Sequence, residues 1–227
     1  MLGYNPDRWF YPPNLKRCLV LFAASRVFRA PVISGLCRRY LLDHLPTSFE
    51  HINLVEQYRE DAQVTTTVLS LCTSFQITPP LPWAFYAFYV HLNRAQPPAN
   101  SPLVAPAMIG LAKIHKEKLK EIYKIGVSVV PRWNKSMAAF YEGDCIDKTN
   151  SLGDCLRTEN HGVPEQYMLA LEDICDPIGA MFIVLDTSEA EELCNSCKTI
   201  LRDDVVEFMR NTYLSLCNVI NVMESRR

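Results

Sequence analysis

Apolar positions along most of this chain recur every three and four residues, the spacing that gives an α-helix one buried face. Leu15, Leu19, Phe22, Ala23 and Val27 form a first stripe; Pro31 ends it and opens a second, with Val32, Leu36, Leu41 and Leu42. Two short helices with a tight connection are predicted. The span Ile52 to Ile77 holds few helix breakers and reads as a helix pair, although Thr65-Thr66-Thr67-Val68 lowers its helix propensity. Pro79, Pro80 and Pro82 stop that pair and preset the first turn of another helix, Trp83 to Leu92, because proline is tolerated at a helix start and not inside one.

Residues 95–106 carry four prolines and form the clearest linker, a candidate sub-boundary. A lysine-rich helix is predicted after it, from about Ala107 to Ile125, with Leu111, Ile114, Ile122 and Ile125 on one stripe. Lys113, Lys116, Lys120 and Lys124 lie elsewhere, interleaved with Glu117 and Glu121, and read as a solvated face with local ion pairs. Lys118 intrudes on the stripe, where only snorkelling accounts for it. Residues 142–164 hold three glycines, several Asn and Asp, and Cys145 and Cys155, and read as one long loop. A helix is expected from Pro164 to Asp173. Met181-Phe-Ile-Val-Leu185 fits either a short strand or a buried helical segment, which periodicity does not separate.

The last segment is the most strongly patterned. Ser188 with Glu191 makes a capping box, and the acidic run Asp186 to Glu192 suits the positive end of a helix dipole. Beyond it, Leu201, Val205, Phe208, Met209, Thr212, Leu216, Val219, Ile220 and Met223 share one face. Asp203, Asp204, Glu207, Arg210, Asn211, Asn218 and Asn221 take the other.

Composition places these elements in a mostly α-helical domain of eight or nine helices packed as irregular pairs, since 227 residues at 48% hydrophobic and 21% charged can bury a full core. The whole of residues 1–227 is read as one such domain. A formal net charge of −2 offers no basic field for phosphates and argues against a nucleic-acid partner. The longest apolar stretch, Leu81 to Leu92, is far short of the roughly 20 residues a membrane span needs. The N-terminus lacks the basic and apolar regions of a secretory signal. Nine cysteines without such a signal read as thiols in a reducing compartment, the cytoplasm or nucleus.

Candidate chemistry concentrates on cysteine. Cys194 and Cys197 are spaced i, i+3, with Cys194 in the apolar stripe and Cys197 at its edge, which fits two small buried residues. The acidic residues before them disfavour a reactive thiolate, and unmetallated thiols with no cofactor are the first reading. The alternative is a small zinc-stabilised helical domain, because Cys145 and Cys155 would complete the four ligands of a closed structural site. No glycines are spaced to cradle a phosphate, no Gly-x-Ser-x-Gly turn is present, and His44, His51, His91, His115 and His161 are scattered singly. Asp203-Asp-Val-Val-Glu207 is similar to the magnesium motif of all-helical terpenoid synthases, a third reading. Its carboxylates fall on the polar face of the last helix, and no second metal motif follows. No catalytic residue is assigned.

Leu81-Pro-Trp-Ala-Phe-Tyr-Ala-Phe, preceded by a helix beginning near Ile52-Asn-Leu-Val-Glu-Gln-Tyr, resembles the segment downstream of the BTB fold in BTB/POZ-domain proteins of mushroom-forming fungi. Tyr40-Leu-Leu-Asp-His-Leu-Pro-Thr-Ser-Phe looks like the helix and turn before it there. Separated Cys145 and Cys155, then Leu193-Cys-Asn-Ser-Cys-Lys and a long charged helix, are similar to that family's carboxyl-terminal pattern. The resemblance implies a non-catalytic interaction or adaptor module with a protein partner, linked to ubiquitin ligation where a BTB domain is present. Nothing before residue 15 could supply that domain, so BTB-mediated dimerisation and cullin binding are not carried over. The family's Trp-x-x-Leu-Pro ending is here Thr212-Tyr-Leu-Ser-Leu-Cys.

Overall fold

The computed structural model describes residues 15–50, 61–93, 104–145, 155, 163–187 and 193–224, and among them every regular element is helical. Eight α-helices follow in order: α1 (Leu15–Val27), α2 (Pro31–His44), α3 (Ala62–Ser74), α4 (Leu81–Asn93), α5 (Val104–Ile114), α6 (Lys116–Glu142), α7 (Pro177–Thr187) and α8 (Asn195–Glu224). Two 3₁₀ turns, Glu165–Tyr167 and Leu171–Cys175, lie between α6 and α7. None of these helices is long and apolar enough to cross a membrane. The chain divides into two compact units, residues 1–116 and 117–227, with the division in the first turn of α6. Most of that proline-rich segment, and the predicted helix start at Ile52, lie outside the described residues.

In the first unit α4 is buried on every side from Leu81 to Val90, the pattern of a helix at the centre of a core. Its neighbour α3 packs on α1, α4 and α5. The threonine run that lowers propensity is accommodated inside α3: the Thr65 and Thr66 hydroxyls donate to the Ala62 carbonyl and Thr67 to that of Gln63. Asp61 caps this helix, its Oδ1 accepting from the N–H groups of Gln63 and Val64 at 3.0 Å each. Its Oδ2 pairs with Lys16 Nζ at 2.6 Å and so ties α3 to α1. The stripe of α2 departs from expectation. Only Cys37 and Leu41 are buried, whereas Val32 and Leu36 face solvent.

In the second unit α6 supplies an uninterrupted inner stripe through Leu119, Ile122, Gly126, Val129, Val130, Trp133, Met137 and Phe140. It continues through Pro131, which lies on the exposed face, where the carbonyl left without an N–H partner can be hydrated. The predicted helix from Ala107 to Ile125 is broken at His115, and the break changes its phase. Ile114 is exposed, while Lys118 is buried beside Leu119 and Ile122 instead of snorkelling. The predicted helix from Pro164 to Asp173 is replaced by the two 3₁₀ turns with extended backbone at Met168. Trp133 Nε1 donates to the Tyr167 carbonyl at 2.8 Å, and the Asn134 amide both donates to and accepts from the Leu169 backbone at 2.9 Å. Those bonds from α6 take the groups an α-helix would have used. Residues Met181 to Leu185 are helical, within α7, which settles the strand alternative against itself.

The face expected of the last helix is the one buried: Leu201, Val205, Met209, Thr212, Leu216 and Ile220 are inside, with Asp203, Glu207, Arg210, Asn211, Asn218 and Asn221 exposed. Its start is later than predicted, at Asn195, and the capping pair Ser188 and Glu191 lies outside the described residues.

Two substitutions check this packing. A Cβ on Gly126 would overlap the backbone carbonyl of Ile174, so Gly126→Ala should destabilise the second unit by about 1–3 kcal/mol in denaturant unfolding. Helix propensity alone would favour alanine by about 1 kcal/mol, and a stabilised variant would contradict the close approach. Asp61→Ala should cost about 1 kcal/mol at neutral pH, with Asp61→Asn losing less because asparagine also caps. Burial alone would raise the Asp61 carboxyl, but Lys16 and the Val64 and Gln63 N–H groups together hold it below the usual carboxylate range. Its contribution is therefore complete above the unfolded value of about 3.9 and is lost as pH falls through the folded one, so the difference between wild type and Asp61→Ala should close in acid.

Candidate metal centre

Four of the nine cysteines meet where α6 ends and α8 begins. Cys145 lies three residues beyond the end of α6, at Glu142; Cys194 immediately precedes α8, and Cys197 sits in its first turn. Cys155 comes from the long segment between α6 and α7. The Sγ atoms of Cys145, Cys155, Cys194 and Cys197 all lie within 4.8 Å of one another. Cys145 Sγ is 3.5 Å from Cys194 Sγ and 3.8 Å from Cys197 Sγ. All nine cysteines of the chain are unbridged.

The arrangement follows from local structure. The inner stripe of α6 fixes the direction in which the chain leaves Tyr141, and Trp133, 5.2 Å from Phe208 in an edge-to-face contact, holds α6 against α8. The i, i+3 spacing of Cys194 and Cys197 crosses the helix start, where backbone N–H groups lack intrahelical partners. One of them, on Cys194, donates to Cys155 Sγ at 3.5 Å. Burial acts to raise the Cys194 thiol, but the Cys197 N–H and the thiols of Cys197, Cys145 and Cys155 outweigh it and set the group at about 7. The sequence had suggested a helix running back through both cysteines behind an acidic start. Instead Cys194 immediately precedes the helix and Cys197 lies in its first turn, the electropositive end that favours a thiolate.

The donor set fits one metal ion of a particular kind. A Zn–S bond of about 2.3 Å in a tetrahedron requires sulfur atoms about 3.8 Å apart, close to the two separations above. Four soft sulfur donors with no carboxylate or imidazole among them select zinc or iron over magnesium or calcium. Cys155 and Cys197 are fully buried, Cys145 nearly so, and Cys194 half-buried, so the ligands enclose the site from most directions.

The other candidates are not drawn together. Among the described residues no further group of His, Cys, Asp or Glu side chains is arranged to hold a metal ion. Asp203 and Glu207 are exposed on the outer face of α8, and Asp204 between them is raised by partial burial and by the charges of Glu207 and Asp203. His44 stacks on Tyr40 at 3.9 Å, and His115 meets Phe85 edge-on at 5.0 Å, both as packing partners. His51 and His161 lie outside the described residues. Sequence alone could list the four cysteines but not converge them, because the nine residues between Cys145 and Cys155 match no common knuckle. The available signal was a Cys-x-x-Cys pair at a helix start with two spare cysteines upstream.

No protein-family model, curated protein or solved structure matches this chain.

Proposed function

We propose that the chain is a non-catalytic protein-interaction module whose second unit is organised by a structural zinc ion held by Cys145, Cys155, Cys194 and Cys197. The observation that carries this reading is the convergence of the four Sγ atoms within 4.8 Å. Four protein ligands fill a tetrahedral shell and leave no position for water or substrate, which is the arrangement of a structural site and not of a catalytic one. Zinc would link the end of α6 to the start of α8 and fix Cys155 between them, doing what a small core cannot do alone. The adaptor role implied by the resemblance to the region downstream of a fungal BTB fold is compatible with this, since a rigid helical scaffold suits partner binding. Nine unbridged thiols support a reducing compartment, the cytoplasm or nucleus.

Elemental analysis of the purified chain should find one equivalent of zinc. Cys197→Ser should lose most of that metal and the cooperative melting of the second unit. Cys72→Ser serves as the control and should keep the metal, because Cys72 is buried within α3, where desolvation pushes its thiol up to about 12. A folded, metal-free chain whose melting is unchanged by chelator would overturn the proposal.

A further inference from the structure

We infer that the tip of the α1–α2 hairpin is a docking surface for an acidic amphipathic helix of a partner protein. This deepens the interaction reading above and rests on it, but it is independent of the metal, which belongs to the other unit.

Apart from Val20 in the middle of α1, the exposed large apolar side chains of this hairpin lie at its turn and along α2. Val27, Phe28 and Val32 are 77%, 81% and 75% exposed, and Ile33 and Leu36 continue the surface along α2. A fourteen-residue helix that buries only Cys37 and Leu41 has spent little of its surface on its own core. Chain connectivity alone keeps Val27, Phe28, Val32 and Ile33 close, because Phe28 lies in the three-residue turn between the two helices and the others sit at the helix ends beside it. The turn is well held: the Ala30 N–H donates to the Ser25 carbonyl at 2.7 Å and that of Phe28 to Ala24 at 2.9 Å. The pair is further joined by the Cys18 thiol donating to the Cys37 carbonyl at 3.6 Å. Arg29 adopts a left-handed backbone with φ of 52° and is exposed at the tip.

Charge identifies the occupant. Lys16 is already paired with Asp61 and Arg26 lies over the Phe75 ring, but the turn and α2 add Arg29, Arg38 and Arg39 against one acidic side chain, Asp43, in a chain whose formal net charge is −2. On α2, Val32, Leu36 and Arg39 fall on one stripe at helical spacing, so basic and apolar positions are interleaved. A helix that lies in a bilayer surface segregates those positions onto opposite faces. Interleaving instead suits a partner helix whose apolar anchors alternate with carboxylates. From Val32 to Arg39 the stripe is about 10 Å long, the reach of two helical turns with anchors at i, i+3, i+4 and i+7.

The test is selection from a displayed library of amphipathic helices, with apolar anchors fixed and outer positions randomised, against the full chain. Enriched sequences should be acidic and should bind more weakly as salt rises. They should lose at least tenfold in affinity to the Val32→Ser/Leu36→Ser variant and to Arg39→Glu; all three positions are exposed, so the variants should melt like the wild type. Acidic binders unaffected by these changes would overturn the hairpin assignment while leaving the interaction reading standing. Absence of any enriched binder would remove both. Hairpin-dependent binding to phosphatidylserine vesicles, or a dimer abolished by the same variants, would replace the partner helix by a membrane or by a second copy and so overturn the inference.

Discussion

Convergence of four soft sulfur donors at the junction of two long helices is the constraint around which residues 117–227 are arranged. The 27 residues of α6 and the 30 of α8 are each amphipathic and need a packed face to be stable, and α8 packs on α7. Trp133 meets Phe208 between α6 and α8, and Cys145 at one helix end lies beside Cys194 and Cys197 at the other. Cys155, the described residue in the segment that departs from α6, reaches the same point. Without a cation, thiolates so close would repel one another; with zinc they would become the connection between these elements.

The segment between the two helices is shaped by α6 as well. Asn134 engages both backbone groups of Leu169, and Trp133 binds the Tyr167 carbonyl, so the chain there is held in tight turns with extended backbone between them. Gly126 lets the next turn approach the helix backbone at Ile174. Burial, backbone hydrogen bonding and the proposed metal thus act on the same helix at successive levels along its length.

How far the sequence revealed this depended on the range of the interaction involved. The face of α8 was readable because Leu201, Val205, Met209 and Leu216 obey one helical period without interruption. The start of that helix was misplaced because Ser188 and Glu191 satisfy a local capping rule, whereas the helix begins at Asn195 beside the thiol cluster. The turns at Glu165–Tyr167 and Leu171–Cys175 were read as a helix because Trp133 and Asn134, which decide their backbone, lie more than thirty residues away. On α2 the period was correct and the conclusion was not: Val32 and Leu36 are spaced as core residues and face solvent. Apolar periodicity reports a face that seeks a partner, and the partner need not be the same chain.

X-ray absorption at the zinc edge of the purified chain is the most direct measurement of the central claim. The account predicts a single zinc environment of four sulfur atoms at about 2.3 Å with no lighter ligand. A first shell containing nitrogen or oxygen, or fewer than four sulfurs, would contradict it, because the cluster would then be incomplete or open.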